Sequence, residues 1–231
     1  MASPDIFISP YALKIMGILG DPVRSTILNG FHPDIKASIG EVEEWVRSNR
    51  PRVQIPTLYR MCDEMEGDNL LERRARGVFE LTPFGITVIE SSRVFHNSIK
   101  ASLFDSRMRP TIEFQYNKEY ADEREQDFLQ TDQPTRETRR VMGLLKHPIR
   151  VRMMLVLSEA PAELLQPQLV LDRVSELQGK KVPSIYKYTT ELEGERLLKR
   201  LYPRVDPQLA ITSLGVAATE GFVEFQKTLT T

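Results

Sequence analysis

The sequence predicts a mainly helical α+β protein in which one arrangement of helices and a small β-hairpin occurs twice. Apolar residues at helical spacing dominate the chain, which predicts amphipathic helices. Short apolar runs flank tight turns at 70–82 and 197–212, which is typical of β-hairpins. The third observation is an internal repeat, which assigns the same elements to both halves of the chain.

Four blocks of sequence recur in the same order. The offset between the copies is 126 residues at the first block and 130 at the last, and it changes only between blocks, where loops absorb insertions. The matched blocks are MGILGDPVR (16–24) with MGLLKHPIR (142–150), IPTLYR (55–60) with VPSIYK (182–187), MEGDNLLER (65–73) with LEGERLLKR (192–200), and LTPFG (81–85) with ITSLG (211–215). The repeat predicts a first domain over 1–104, an acidic linker over 105–134 and a second domain over 135–231.

Each copy is expected to contain three helices, a hairpin and a closing helix. Asp21-Pro22 interrupts the first helical region, because proline disfavours helix at the residue before it. Ser38 and Glu41 form a capping box, with Trp45 anchoring the helix that follows. The predicted elements are helical segments over 11–30, from 39 to about 48, from Pro56 to Gly67 and over 83–104 in the first copy; a strand over 111–116 in the linker; and helices over 138–158, 168–178, 183–193 and 213–229 in the second.

Bulk composition excludes several classes of function. The 231 residues carry a net charge of −1, which gives no global basic field for coating nucleic acid. The single cysteine, Cys62, excludes an intrachain disulfide framework and a multi-cysteine metal site. No apolar run approaches the roughly 20 residues of a membrane span, and the N-terminus lacks the features of a secretory signal. We expect a cytoplasmic protein that does not act at a membrane.

Residues that resemble catalytic or metal-binding groups have simpler interpretations. Cys62 falls on the inward side of its helix and is expected to pack as a small apolar residue. The three histidines show no metal-ligand spacing, and Glu64 and Glu66 are expected to be solvated on a helix surface. A glycine-rich phosphate loop, a serine nucleophile elbow and a zinc-binding helix are all missing from the sequence. No cofactor, metal or enzymatic activity is therefore expected.

Three helices, a two-stranded hairpin and a closing helix form the winged helix-turn-helix plan, here in tandem. The segment PTLYR (56–60), followed by EMEGDNLLE (64–72), resembles the matching stretch of ArsR-like and PadR-like repressors. The phrases around Pro22 and Pro148 resemble the first core helix of the ArsR-like group. Two polar residues follow the glycine in each copy where the family has none, so the turn into the hairpin is expected to differ. Paired cysteine or histidine ligands are also lacking, so the metal sensing of ArsR-type members is not carried over.

The resemblance places the third helix of each copy in the DNA major groove and the hairpin, or wing, against the backbone. Arginine, lysine, glutamine and hydroxyl side chains gather at the matching positions, and these groups bind base edges and phosphates. The candidate DNA-contacting residues are Arg52, Gln54, Thr57, Tyr59, Arg60, Arg73, Arg74 and Arg76 in the first copy, and Lys180, Lys181, Ser184, Tyr186, Lys187, Lys199, Arg200 and Arg204 in the second.

The sequence therefore predicts a regulator of transcription that binds double-stranded DNA, acting as a repressor by covering its operator. Apolar residues of the closing helices are expected either to pack the two copies together or to form a homodimer. The alternative function is a winged-helix module for protein contacts, as in chromosome-condensation or polymerase-associated subunits, and the near-zero net charge favours it. A third alternative is that only one of the two copies binds DNA.

Overall fold

The structure, a computed structural model, describes residues 7–31, 35–49, 53–104, 134–159, 161, 163–201 and 207–230. These residues are mainly helical with small antiparallel sheets, which confirms the predicted α+β class. The first-half elements are α1 (Pro10–Gly20), α2 (Pro22–Gly30), β1 (Ala37–Ser38), α3 (Ile39–Asn49), α4 (Ile55–Gly67), β2 (Leu71–Ala75), β3 (Val78–Leu81) and α5 (Pro83–Phe104). The second-half elements are α6 (Arg136–Leu145), α7 (Pro148–Ser158), α8 (Pro167–Gln178), α9 (Tyr186–Gly194), β4 (Leu198–Leu201), β5 (Gln208–Ile211) and α10 (Ser213–Thr230). The predicted strand at 111–116 and almost all of the linker lie outside the described residues.

The predicted interruption of the first helical region is present at Asp21. Pro22 occupies the first turn of α2, where its missing N–H leaves no intrahelical bond unmade. The Asp21 side chain accepts hydrogen bonds from the N–H groups of Val23 and Arg24, both at 2.9 Å. This cap satisfies two of the helix donors that have no intrahelical partner.

The second half divides at the same place, which corrects the single helix predicted over 138–158. α6 ends before the turn at Lys146 and His147, and α7 begins at Pro148. The Nδ1 atom of His147 accepts a hydrogen bond from the N–H of Ile149 at 3.3 Å. His147 therefore caps α7 as Asp21 caps α2, but with one hydrogen bond where Asp21 makes two.

The capping box at the start of α3 is confirmed, and a short strand beside it was not predicted. The carboxylate of Glu41 accepts a hydrogen bond from the N–H of Ser38 at 2.7 Å. β1 pairs antiparallel with β3, with Ala37 opposite Phe79, and extends the predicted hairpin to the order β1-β3-β2. In the second half a single bridge between Leu165 and Leu209 stands where β1 pairs in the first.

The third helix of the second half begins later than the predicted 183–193. α9 starts at Tyr186, because the residues before it are held as a loop. The N–H of Val182 donates to the hydroxyl of Ser175 at 3.1 Å, and the N–H of Tyr186 donates to the hydroxyl of Ser184 at 3.2 Å.

The two polar residues that lengthen the turn into each hairpin have the same conformation in both halves. Asn69 and Arg196 have left-handed backbones, with φ of 57° and 59°. Thr82 donates its hydroxyl proton to the carbonyl of Asn69, and Thr212 does the same to Arg196. The turn is therefore closed by a side-chain hydrogen bond from the residue that ends the hairpin.

Three ion pairs recur at matching positions and hold the helix before each hairpin. In the first half they join α4 and the turn after it to α1, α2 and β2. In the second half they join α9 and the turn after it to α6, α7 and β4. The matched pairs are Lys14–Asp68 with Arg140–Glu195, Arg24–Glu64 with Arg150–Glu191, and Arg73–Glu66 with Arg200–Glu193. The duplicated sequence thus forms duplicated contacts, not only duplicated helices.

The two halves meet where α1 crosses α6 at glycines. A Cβ on Gly20 would lie 2.5 Å from the Cα of Gly143 and 3.1 Å from the carbonyl oxygen of Arg139. On the other side of the crossing, the side chain of Lys146 lies 3.5 Å from the Cβ position of Gly17. Gly143 and Lys146 match Gly17 and Gly20 in the repeat, so the contacts exchange between the halves as they would across a two-fold axis.

The closing helices α5 and α10 pack against each other and extend this exchange. His96 on α5 contacts the hydroxyl of Thr138 on α6 at 2.7 Å. At the position matching His96, Gln226 on α10 accepts a hydrogen bond from the N–H of Ser9 at 2.8 Å, at the start of α1. Buried apolar residues fill the contact between the two helices and the adjoining core: Phe95, Ile99, Phe222 and Phe225.

Replacing the two glycines of α1 by alanine should have opposite effects. Gly20→Ala should lower the free energy of unfolding by about 1–3 kcal/mol, because its methyl group would overlap the α6 backbone. Gly17→Ala meets only the flexible Lys146 side chain and should raise it by roughly 0.5–1 kcal/mol through helix propensity. Urea denaturation followed by circular dichroism measures both, and equal effects of the two variants would contradict the proposed close contact.

His147→Asp should remove part of the acid sensitivity of the fold. Burial, and secondarily the charge of Arg150, lowers the pKa of His147 below 6.5. The unfolded chain then binds the proton first as the pH falls, so the free energy of unfolding decreases from about pH 6.5 downward. Aspartate stays ionised there and can accept two N–H bonds, as Asp21 does. Urea titrations at about pH 7.5 and 5.5 should show a smaller loss in the variant than in the wild type.

Candidate nucleic-acid interface

Each half packs the first turn of one helix beside its hairpin. In the first half, Tyr59 of α4 lies against the hairpin turn, with its Oη 2.6 Å from where a Cβ on Gly77 would be. Gly77 has a φ of +72°, so the turn requires a residue without a side chain. The half-buried Tyr59 therefore joins helix and hairpin and has little surface left for an outside partner.

The matching tyrosine of the second half is in a different position. Tyr186 stands at the first position of α9 with 68% of its surface exposed. The guanidinium carbon of Arg200 lies 5.1 Å from the centre of the Tyr186 ring, within range of a cation–π contact. Arg200 also pairs with Glu193 at 2.9 Å and has 16% of its side chain exposed. Arg200 thus supports an exposed aromatic ring and has little freedom to reach a partner itself.

Carboxylates hold the arginines of the first hairpin. Arg73 pairs with Asp63 and Glu66 of α4, and its guanidinium lies 4.9 Å from the ring centre of Phe79. The charge of Arg73 is therefore partly neutralised within the protein.

A second carboxylate cluster lies on the other face of the same hairpin. Arg74 pairs with Glu72 at 2.7 Å and also with Glu80. The hydrogen bond from Arg74 lowers the pKa of Glu80, so this carboxylate stays ionised through the neutral range. Arg76, at the exposed turn, forms no ion pair with a described residue.

The corresponding lysines of the second half are exposed. Lys180 and Lys181 precede α9, Lys187 lies in its first turn, and Lys199 lies on β4. None of the four forms an ion pair with a residue of the described ranges. We call these four residues the lysine group. Lys199 matches Glu72 in the repeat, so the sign of the charge at this one position is reversed between the two hairpins.

The carboxylates of α9 do not neutralise this group, because arginines from other elements bind them. Glu191 pairs with Arg150 of α7 at 2.5 Å, and Glu195 lies 3.9 Å from Arg140 of α6. Over matching stretches, residues 53–81 contain six carboxylates and four arginines, whereas 180–211 contain four carboxylates and seven cations. The first stretch therefore carries a net charge of −2 and the second a net charge of +3.

The remaining candidates are distributed along the same two surfaces. Gln54 is exposed at the N-cap of α4 and makes no capping bond with its side chain, and Thr57 is half-buried in the first turn. Arg60 is 69% exposed and lies 3.8 Å from Glu64. Ser184 is exposed and accepts the hydrogen bond from Tyr186. Arg52 and Arg204 lie outside the described residues.

Sequence reasoning missed the acidic partners that decide which cations are available. Glu64 and Glu66 were expected to be solvated, but they pair with Arg24 and Arg73. Arg24 and Glu64 are 40 positions apart in the sequence, so no local signal predicts this contact, which depends on the fold bringing α2 near α4.

Further properties of the described residues concern the thiol, metal ligands and membrane-spanning helices. Burial raises the pKa of the Cys62 thiol to about 12, so its thiolate is scarce at neutral pH. Among the described residues, no three histidine, cysteine or carboxylate side chains lie together as metal ligands would. In that same part of the chain, no helix combines the length and apolarity that crossing a bilayer requires.

Compared with known proteins, the chain matches no family model, no curated protein and no solved structure. The function must therefore be inferred from the chemistry of its own surfaces.

Proposed function

We propose that this protein is a transcriptional regulator that binds specific sequences of double-stranded DNA through two winged helix-turn-helix units. The observation that carries the proposal is the lysine group before and at the start of α9 and on β4, which is exposed and has no ion-pair partner in the described residues. Unneutralised lysines bind phosphates and release counterions, which supplies most of the affinity for DNA. The proposed action is repression, with the bound protein covering its operator.

In this proposal the first turn of α9 enters the major groove and the β4–β5 hairpin lies along the backbone. Lys187 and the exposed ring of Tyr186 are then the side chains of α9 best placed to meet base edges. Lysine can donate to guanine, and an aromatic ring can contact a thymine methyl group. Lys180, Lys181 and Lys199 would bind phosphates on either side.

The packing of the halves supports a single chain that offers two DNA-binding surfaces. The contacts at Gly20, Gly143 and Lys146 exchange between the halves, as contacts do in the two-fold dimers that bind paired half-sites. The apolar faces of α5 and α10 pack against each other within one chain. A homodimer through these helices stays a prediction of the sequence, and two half-sites do not require it.

The first half supports a second candidate function, which is a contact surface for another protein. Two of its three hairpin arginines, Arg73 and Arg74, are neutralised by four carboxylates: Asp63, Glu66, Glu72 and Glu80. A surface of alternating charges without a net positive field binds phosphate weakly but suits a protein partner with complementary charges. DNA binding would then belong mainly to the second half.

Selection of bound sequences from random duplex DNA tests the proposal directly. A regulator with two active surfaces enriches a motif with two spaced half-sites, whereas one active half enriches a single half-site. Failure to enrich any motif, with binding that is lost at moderate salt, would exclude sequence-specific recognition and favour the protein-contact function.

Lys187→Ala should weaken specific binding by about 1–3 kcal/mol, because a side chain that meets a base edge contributes on this scale. Arg60→Ala, the matched variant of the first half, should cost less, since Arg60 lies 3.8 Å from Glu64. Titrations of the selected duplex by fluorescence anisotropy measure both. A larger loss in Arg60→Ala would show that the first half dominates and would contradict the ranking.

Glu72→Lys should strengthen DNA binding, because it gives the first hairpin the lysine that the second has at position 199. It also frees Arg74 from one of its two carboxylates. If the new lysine meets a phosphate, the slope of log K against log salt should become steeper by about 0.9. Glu90→Lys on α5 makes the same change in net charge away from the hairpin and is the control. Equal gains in the two variants would indicate a general charge effect and no contact by the first hairpin.

A further inference from the structure

A groove of about 780 Å³ lies between α1, the C-terminal end of α4 and the turn that follows α6. Its volume is within the range of sites that hold small organic molecules. The apolar part of its wall comes from Pro10 and Leu13, with the nearly buried Ile18 and the fully buried Met65 behind them. The groove thus has an apolar surface on which the body of a small molecule can pack.

Charged side chains line the rest of the groove. Two of its cations are already matched, because Lys14 pairs with Asp68 and Arg24 pairs with Glu64. The third, Lys146, is exposed and forms no ion pair with the residues that the structure describes. One positive charge is therefore left in the groove without a partner of opposite sign.

The corresponding place in the second half lacks this third cation. Its two ion pairs are conserved in kind as Arg140–Glu195 and Arg150–Glu191. The residue matching Lys146 is Gly20, which has no side chain and packs against Gly143. The unmatched charge is therefore particular to the first-half groove and is not needed by the repeated scaffold.

We propose that this groove binds a small organic molecule that has one anionic group and an apolar body. The carboxylate, sulfonate or phosphate of such a ligand would bind the ammonium group of Lys146, and its apolar body would cover the wall of α1. Lys14 and Arg24 would lie on either side as secondary donors to the same anion.

A ligand in this position would bridge the two halves of the chain. Lys146 belongs to the second half, whereas the rest of the groove belongs to the first, including the end of α4. Binding would therefore stabilise the arrangement of α4 and α9 that the crossing of α1 and α6 sets. This consequence for DNA binding rests on the proposed function, but the ligand site itself does not.

Titration of the full-length chain with 8-anilinonaphthalene-1-sulfonate tests the site. This fluorescent probe has a single sulfonate and an apolar aromatic body, so it has the proposed ligand chemistry. We expect one saturable site per chain. Lys146→Ala should raise its Kd by roughly threefold to fivefold, the usual scale for losing a partly exposed ion pair.

A second variant, Gly17→Leu, should abolish saturable binding, because its side chain would project into the groove beside Lys146. Lys187→Ala removes an exposed lysine elsewhere and should leave the Kd for the probe unchanged. Thermal melts establish whether each variant is folded. If Gly17→Leu does not fold, the Kd of Lys146→Ala for the probe decides the test on its own. An unchanged Kd in Lys146→Ala, or no saturable binding by the wild type, would overturn the site.

The two proposals fail separately in this design. Duplex DNA titrations on the same variants should show that Lys187→Ala lowers the affinity for DNA and leaves the affinity for the probe unchanged. Lys146→Ala should lower the affinity for the probe and leave the affinity for DNA unchanged. Loss of DNA binding by the wild type would remove the regulatory function and leave the probe titration as an independent result.

Discussion

The close approach of α1 and α6 is the constraint on which the arrangement of the molecule depends. Their backbones meet at Gly20 and Gly143, where no side chain can be inserted between them. Each helix is the first of its half and carries an ion pair to the turn that joins α4 or α9 to its hairpin, through Lys14 and Arg140. The crossing of α1 and α6 therefore sets the position of α4 relative to α9, although α4 and α9 take no part in the crossing. The polar contacts of His96 and Gln226 repeat the same exchange at the ends of the interface.

Local signals in the sequence were sufficient to predict most of the helices and both hairpins. They were not sufficient to predict elements that depend on residues distant in the sequence. Asp21 before Pro22 and the capping box at Ser38 act within one turn of helix, so a short window contains the whole cause. β1 has two residues and exists only because β3 is adjacent to it, which no window around Ala37 shows. The break before Pro148 could have been predicted from the same proline signal used in the first half.

The candidate surface was predictable in residue type but not in available charge. Cationic residues at the helix start and hairpin were identified from the sequence alone, whereas the pairing of Arg73 with Asp63 depends on the hairpin folding back along α4. The matching tyrosines illustrate the same limit. Tyr59 packs against Gly77, whereas Tyr186 is exposed, although the two tyrosines occupy matching positions of the repeat. Repetition in the sequence therefore predicts a repeated framework and does not predict equal surfaces.

A chain with a net charge of −1 can still present a positive surface, and the repeat explains how. The carboxylates of α9 and of the turn after it pair with arginines of α6, α7 and β4, so they stabilise the fold without neutralising the lysine group. The first half makes the same three internal pairs and then adds Glu72 and Glu80 around its hairpin arginine. The three ion pairs that hold the framework are thus common to both halves. Glu72 and its match Lys199 take no part in those three pairs, and their charges are opposite in sign. Such differences leave the shared framework unchanged, so two copies with the same ion pairs can present surfaces of different charge.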